Sequence, residues 1–187
     1  MNSEQIRSIL LECVDDRFET GVFACDQLDS VQSRQFAIVV NSDDSEHRGT
    51  HWLAIVKENG CNIEFFDSFS MPISFYSPYI KKFLSKFSKT IQCSKPQLQS
   101  AFSTTCGHFC LYYIINRCSG RSLESIMRDF SFKDLKSNDD AVQTFIQTNF
   151  QRPTSQETSN LAQVQREVNA LYSCILQCCR TRKYLYL

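Results

Sequence analysis

The chain has 187 residues, 42% of them hydrophobic, with 15 Phe and 7 Tyr. That is the size and composition of one ordinary globular domain with a buried core, and it excludes a disordered chain. Lys plus Arg and Asp plus Glu number 20 each, so net charge gives no argument for a nucleic-acid or membrane surface; the basic clusters Lys81-Lys82 and Arg180 to Lys183 are short enough to be solvated helix faces.

The opening residues Met1 to Arg7 are polar and charged, with no apolar signal region behind them, and no apolar run approaches the roughly 18 residues that span a bilayer. The ten cysteines are therefore expected to be mostly free thiols of an intracellular protein, in the cytoplasm or nucleus, rather than a disulfide framework. One of them then becomes a candidate nucleophile.

In chain order, Ser3 to Cys13 reads as a helix capped by Asn2 or Ser3, with Ile6, Ile9, Leu10 and Cys13 on one face. Val14 to Ser33 reads as irregular, with Gly21 a turn candidate. Three strands follow: Phe36 to Val40, His51 to Val56 and Asn62 to Asp67. The Asn59-Gly60 pair signals a hairpin between the last two. Ser77-Pro78 opens a helix to Phe87, and Thr90 to Cys93 is a short fourth strand. Thr105 to Cys118 reads as a buried helix ended by Gly120, Ser122 to Met127 as a short helix, and Asn138-Asp139-Asp140 as the start of another, running to Phe150 with Val142, Phe145 and Ile146 inward.

Gln151 to Asn160 is polar and linker-like, so the chain divides into a domain over residues 1–150 and a segment 151–187. In that segment Leu161, Val164, Val168, Leu171, Ile175 and Cys178 form a heptad-like stripe, shorter than a self-sufficient coiled coil. It reads as a terminal helix packed on its own domain or, alternatively, as a trans-binding or dimer-forming one. Cys174, Cys178 and Cys179 lack a histidine and read as free thiols rather than metal ligands.

Thiol-based hydrolysis needs a thiolate, an imidazole base, a group that orients the imidazole, and donors for the oxyanion. Cys106 opens the buried helix, where the helix dipole favours thiolate, and Gly107 after it leaves room for a substrate backbone. Of the three histidines, His51 opens an apolar strand beside Trp52, His47 lies in a charged loop, and His108 sits two residues after Cys106, pointing away from it. Asp67 ends the next strand among Phe65, Phe66 and Phe69, and a buried Asp needs a partner such as a histidine N–H. Gln99, seven residues before Cys106, is a candidate oxyanion donor, with Gln92 and Gln97 as competitors that spacing does not separate.

Taken together, Gly49-Thr50-His51-Trp52-Leu53-Ala54, then Phe66-Asp67-Ser68-Phe69, then Gln99 to Cys110 resemble the corresponding motifs of adenovirus proteases, shared by proteases of virus-like Maverick/Polinton DNA transposons and, more distantly, by SUMO-specific proteases. The resemblance covers about residues 3 to 150. It implies an α+β fold, a central mixed sheet packed against a helix that starts at the nucleophilic cysteine. It implies a His51-Asp67-Cys106 triad, an oxyanion hole of Gln99 with the Cys106 N–H, and cleavage of precursor proteins at small or Gly-containing sites, with Trp52 and Gly107 lining a narrow cleft. The implied setting is a host cell nucleus or cytoplasm, or a virion. No metal or other cofactor is implied. Adenovirus enzymes are stimulated by DNA and by a disulfide-linked viral peptide; here Cys93 is offset from the register of the partner cysteine and no basic surface is evident, so activation by peptide or DNA rests on resemblance only. Three other readings remain: a hydrolase of ubiquitin-like conjugates using the same triad; an acyltransferase, for which no coenzyme A site is visible; and a non-catalytic binding module, against which an intact triad argues.

Overall fold

In the computed structural model, the structure describes residues 1–150 other than Asn59 and Cys61. The expected linker, terminal helix and Cys174, Cys178 and Cys179 lie outside the described residues.

The apolar runs become the middle of a sheet because both of its faces are covered. Strands β1 (Glu19–Ala24), β2 (Phe36–Asn41), β3 (Trp52–Lys57), β4 (Ile63–Phe66) and β5 (Ile91–Cys93) lie in that spatial order. The β1–β2 and β4–β5 pairs are parallel, and the two central pairs are antiparallel. Alternate residues go to opposite faces. Ala37, Val39, Ala54, Val56 and Phe66 face helices α1 (Ser3–Cys13), α3 (Cys106–Cys118), α4 (Leu123–Met127) and α5 (Leu135–Phe150). Phe36, Ile38, Val40, Leu53, Ile55, Ile63 and Phe65 face helix α2 (Pro78–Phe87) and the short helical turn Cys25–Ser30. A strand buried on both sides has no reason to alternate polar with apolar, which is why β2 and β3 read as continuous hydrophobic runs. The result is the expected α+β fold with a central mixed sheet and a helix beginning at Cys106. No helix among the described residues is long and apolar enough to cross a membrane.

Three boundaries differ from the sequence reading. Residues 19–24, expected to be irregular, form β1, with Gly21 inside the strand rather than at a turn. It is an edge strand with only Gly21 and Val22 buried, so neither alternation nor a hydrophobic run marks it. Helix α5 begins at Leu135, three residues before the expected Asn138 cap, and Asn138 and Asp139 are buried inside it. Finally, Cys25–Ser30 is a short helical turn that nothing in the composition announced. Elsewhere the local chemistry acts as expected: Asn2 and Gln5 form a reciprocal cap on α1, and Ser77 caps α2 with Pro78 at its first position.

Glu64 is the one charged residue of β4, and it points at α3. It takes the Tyr113 hydroxyl and, at 2.9 Å, the Nε–H of Arg117, whose other arm reaches Glu58 at 3.1 Å. The Tyr113 ring stacks on Phe66 at 4.4 Å between centroids. These contacts fix α3 against the sheet. Because the Arg117 and Glu64 side chains are only 11% and 9% exposed, removing one strands the other. Arg117→Ala should therefore lower the unfolding free energy in urea by about 3–5 kcal/mol, with partial recovery when Glu64→Leu is added. A loss below about 1 kcal/mol would mean that the pair behaves as a surface one.

Candidate active site

His51 sits immediately before β3 and Asp67 immediately after β4. Continuing the β3–β4 register past the strand ends sets His51 across from Phe69, one diagonal step from Asp67. The two rings of that pair, His51 and Phe69, are 5.0 Å apart. The polar loop before β3 fixes the approach. Asp43 accepts the Thr50 N–H at 2.7 Å and the Thr50 hydroxyl at 2.6 Å, and the Ser42 N–H donates to the His51 carbonyl at 2.9 Å. A side chain at Gly49 would collide with Asn41, whose Nδ2 lies 1.5 Å from where a Cβ would be.

Asp67 is 1% exposed and its carboxylate is fully used. Oδ1 accepts His51 Nε2–H at 2.8 Å and the Phe69 N–H at 2.9 Å; Oδ2 accepts the Met71 N–H and the Tyr76 hydroxyl, each at 2.7 Å. Ser70 adopts a left-handed backbone, φ 57°, in the turn that brings Met71 back to the carboxylate. Burial opposes the Asp67 charge, but the hydrogen bonds from His51 and Tyr76 and the Phe69 N–H outweigh it and hold the carboxyl below its ordinary range. Burial and the neighbouring carboxylate push the Tyr76 phenol far up, so it remains a donor.

Cys106 is the first residue of α3, within hydrogen-bonding reach of the His51 ring. Burial opposes a thiolate there. The hydrogen bond with His51 and the backbone N–H groups of Trp52 and Gly107 outweigh it and hold the thiol below its ordinary range. On His51, burial works against the charge as well, yet the hydrogen bonds to Asp67 and Cys106 push its pKa up to about 9. The pair thus favours thiolate and imidazolium. The other described free thiols behave oppositely: burial raises Cys13, Cys25, Cys93, Cys110 and Cys118.

Gln99 is 1% exposed, on the strap between β5 and α3. Its Oε1 accepts the Ser68 hydroxyl at 2.6 Å, and its Nε2 donates to the Ser103 carbonyl at 2.8 Å with Ser103 Oγ at 3.2 Å. Its competitors are otherwise employed: the Gln97 amide donates to the Gln99 carbonyl at 2.8 Å, and Gln92 is exposed on β5. The Cys106 N–H lies in the first turn of α3, where a helix supplies no carbonyl partner.

Trp52 and Gly107, expected to line substrate, pack on each other. A Cβ on Gly107 would meet Trp52 Cδ1 at 3.3 Å, Ile6 Cδ1 at 3.2 Å and Met1 Cβ at 3.4 Å. The absent side chain of Gly107 thus admits the tryptophan and α1. Beside His51 there is instead a cavity of about 700 Å³ lined by Thr50, Phe69, Met71, Phe75 and Tyr76, with Asp43 and Asp44, and not by Trp52 or Gly107. His47 is exposed and bound to Asp44 at 2.5 Å, and His108 is kept below its ordinary range by burial and then by the N-terminal amine; neither joins Cys106.

No family model matches this sequence, and no curated protein does. Among solved structures, the chain is similar to the crystal structure of ASFV pS273R protease, at 19% identity over 74% of this chain with a TM-score of 0.46, and to its Se-Met form, at 24% identity over 58% with a TM-score of 0.36. The chain spans 65% and 44% of the length of those two chains.

Several residues that build the site carried no sequence signal. Tyr76 completes Asp67 from nine positions away, and the Ser94 hydroxyl accepts the Asp67 N–H and donates to its carbonyl, both at 2.9 Å. Only the rule that a buried carboxylate must be satisfied pointed to further donors. The geometry makes a direct prediction. His51 should titrate near pH 9 by NMR of its ring. In Asp67→Asn the supporting carboxylate is gone and burial is left to act, so the midpoint should move down by at least about one unit. An unmoved midpoint would show that Asp67 does not support the imidazolium.

Proposed function

We propose that the chain is a cysteine endopeptidase, with Cys106 as nucleophile, His51 as base and acid, and Asp67 holding the imidazole. The observation that carries this reading is the His51 ring, which binds the buried Asp67 carboxylate through one nitrogen and meets the Cys106 thiol at the start of α3. The chemistry follows from the charges. The thiolate attacks a peptide carbonyl while the imidazolium holds the proton. The oxyanion forms against the Cys106 N–H and the second N–H of the Gln99 amide, whose nitrogen is held by the Ser103 carbonyl and Oγ. His51 then gives its proton to the leaving amine, and water attacks the thioester as His51 takes a proton back.

The motifs around His51, Asp67 and Cys106 resemble those of adenovirus and Maverick/Polinton proteases, and on that resemblance we assign the substrate as a viral or transposon-encoded precursor cut at small or Gly-containing sites. The site of action is then the host cell or the virion, and the protease domain is residues 1–150, acting as a monomer.

Cys106→Ala should abolish cleavage of a Gly-Gly-containing peptide while leaving the circular dichroism and melting of the protein unchanged; retained cleavage contradicts the assignment. Wild-type kcat/KM should fall above pH about 9, because His51 has a raised pKa, is protonated below it and loses above it the proton the leaving amine needs. Faster cleavage of a ubiquitin or SUMO conjugate than of any short peptide would replace the precursor substrate with a ubiquitin-like one.

A further inference from the structure

The strap between β5 and α3 carries Gln99 and ends at Cys106, and it has no regular structure of its own. Two buried residues of α5, each 3% exposed, hold it. Asn138 Nδ2 donates to the Leu98 carbonyl at 3.0 Å. Asp139 Oδ1 accepts the Ser103 hydroxyl at 2.8 Å and the Thr105 hydroxyl at 2.6 Å, while Oδ2 takes the Ser100 hydroxyl and lies 3.4 Å from the Ser100 N–H. The nearby cation, Lys136, is paired with Asp140. A buried carboxylate satisfied almost wholly by hydroxyls of one short segment is an expensive way to hold a loop. It does something that a packed apolar residue would not. By taking the Ser103 hydroxyl proton, Asp139 leaves the Ser103 oxygen lone pairs facing Gln99 Nε2, at 3.2 Å. The same carboxylate fixes Thr105, the residue that caps the nucleophile helix.

We propose that Asp139 is the positioning residue of the oxyanion site: through Ser103 it fixes the rotation of the Gln99 amide, and through Thr105 the direction of the Cys106 N–H. The inference rests on the protease reading and adds a role that the triad does not need. Formation of the thiolate depends on His51, Asp67 and local N–H groups, whereas stabilisation of the oxyanion depends on the strap.

Two probes separate these functions. Iodoacetamide at pH ~6, where an ordinary thiol is protonated, consumes thiolate by displacement of iodide and makes no oxyanion. Acetyl-Gly-Gly aldehyde takes the thiolate sulfur onto its carbonyl carbon, and the carbonyl electron pair moves to oxygen, which is protonated from His51 to give a hemithioacetal. In Asp139→Asn, an amide replaces one acceptor by a donor and reverses at least one hydroxyl. Ser103→Ala removes the Oγ contacts with Gln99 and Thr105, keeps the Ser103 carbonyl on Gln99 and leaves Asp139 held by Ser100 and Thr105, so it serves should Asp139→Asn fail to fold. Each variant should keep the wild-type alkylation rate at Cys106 and lose about 10-fold or more in aldehyde affinity, short of the ~10²–10³ that loss of a whole oxyanion donor costs. Unchanged aldehyde affinity in the folded variants overturns the inference, as does a parallel loss of alkylation, which would make Asp139 a purely structural support. A wild-type protein that iodoacetamide does not label selectively at Cys106 sinks the protease reading itself, and this inference with it.

Discussion

The buried carboxylate of Asp67 is the constraint from which the rest of the site follows. A lone carboxylate with 1% exposure would cost several kcal/mol, and this one is kept ionised by four donors from three different segments. Satisfying them forces the turn after β4 to fold back, the Tyr76 hydroxyl to point inward and the His51 ring to stand with one nitrogen toward Asp67. The other nitrogen is then left for Cys106. The acid is thus a structural centre first, and the imidazole inherits its orientation from it.

The sheet makes this affordable. Adjacent antiparallel strands bring the start of β3 and the end of β4 to one edge, so residues 51 and 67 meet without a dedicated scaffold. Helix α3 crosses the same sheet and is fixed by the Glu64–Arg117–Tyr113 cluster and by the Phe66 ring, which sets its first residue beside His51. The strap from β5 closes the arrangement: the Leu98 and Gln99 N–H groups both donate to the Ser68 carbonyl, so the residue after Asp67 also anchors Gln99. One short segment, Asp67-Ser68, therefore ties Asp67, His51 and Gln99 together.

Much of this was legible in the sequence, for identifiable reasons. Strands β2, β3 and β4 announced themselves as apolar runs because both faces of the sheet are covered, and α3 did so because it is buried on most sides. The convergence of His51, Asp67 and Cys106 could be anticipated because each stands at an element's end, where side chains can meet. The edge strand β1 was not, since its partly exposed residues and Gly21 leave no periodic trace. Asn138 and Asp139 looked like a helix cap because local propensity favours that role, and tertiary contacts with the strap overrode it. At Gly107 the sequence suggested only room beside Cys106, and the positions of Ile6 and Trp52 show which neighbours a side chain there would meet. Tyr76 and Ser94 were invisible because hydroxyls are common and their partners are fixed only by the fold.

The central claim is that Cys106 rests as a thiolate paired with a charged His51. It is tested most directly by titrating the ultraviolet thiolate absorbance of the wild-type protein and subtracting that of Cys106→Ser. The account predicts that the Cys106 signal is present well below the ordinary thiol range and is lost from that region in His51→Ala, where burial is left to act on the sulfur. A Cys106 signal that appears only at pH about 9 or above, with or without His51, would contradict it.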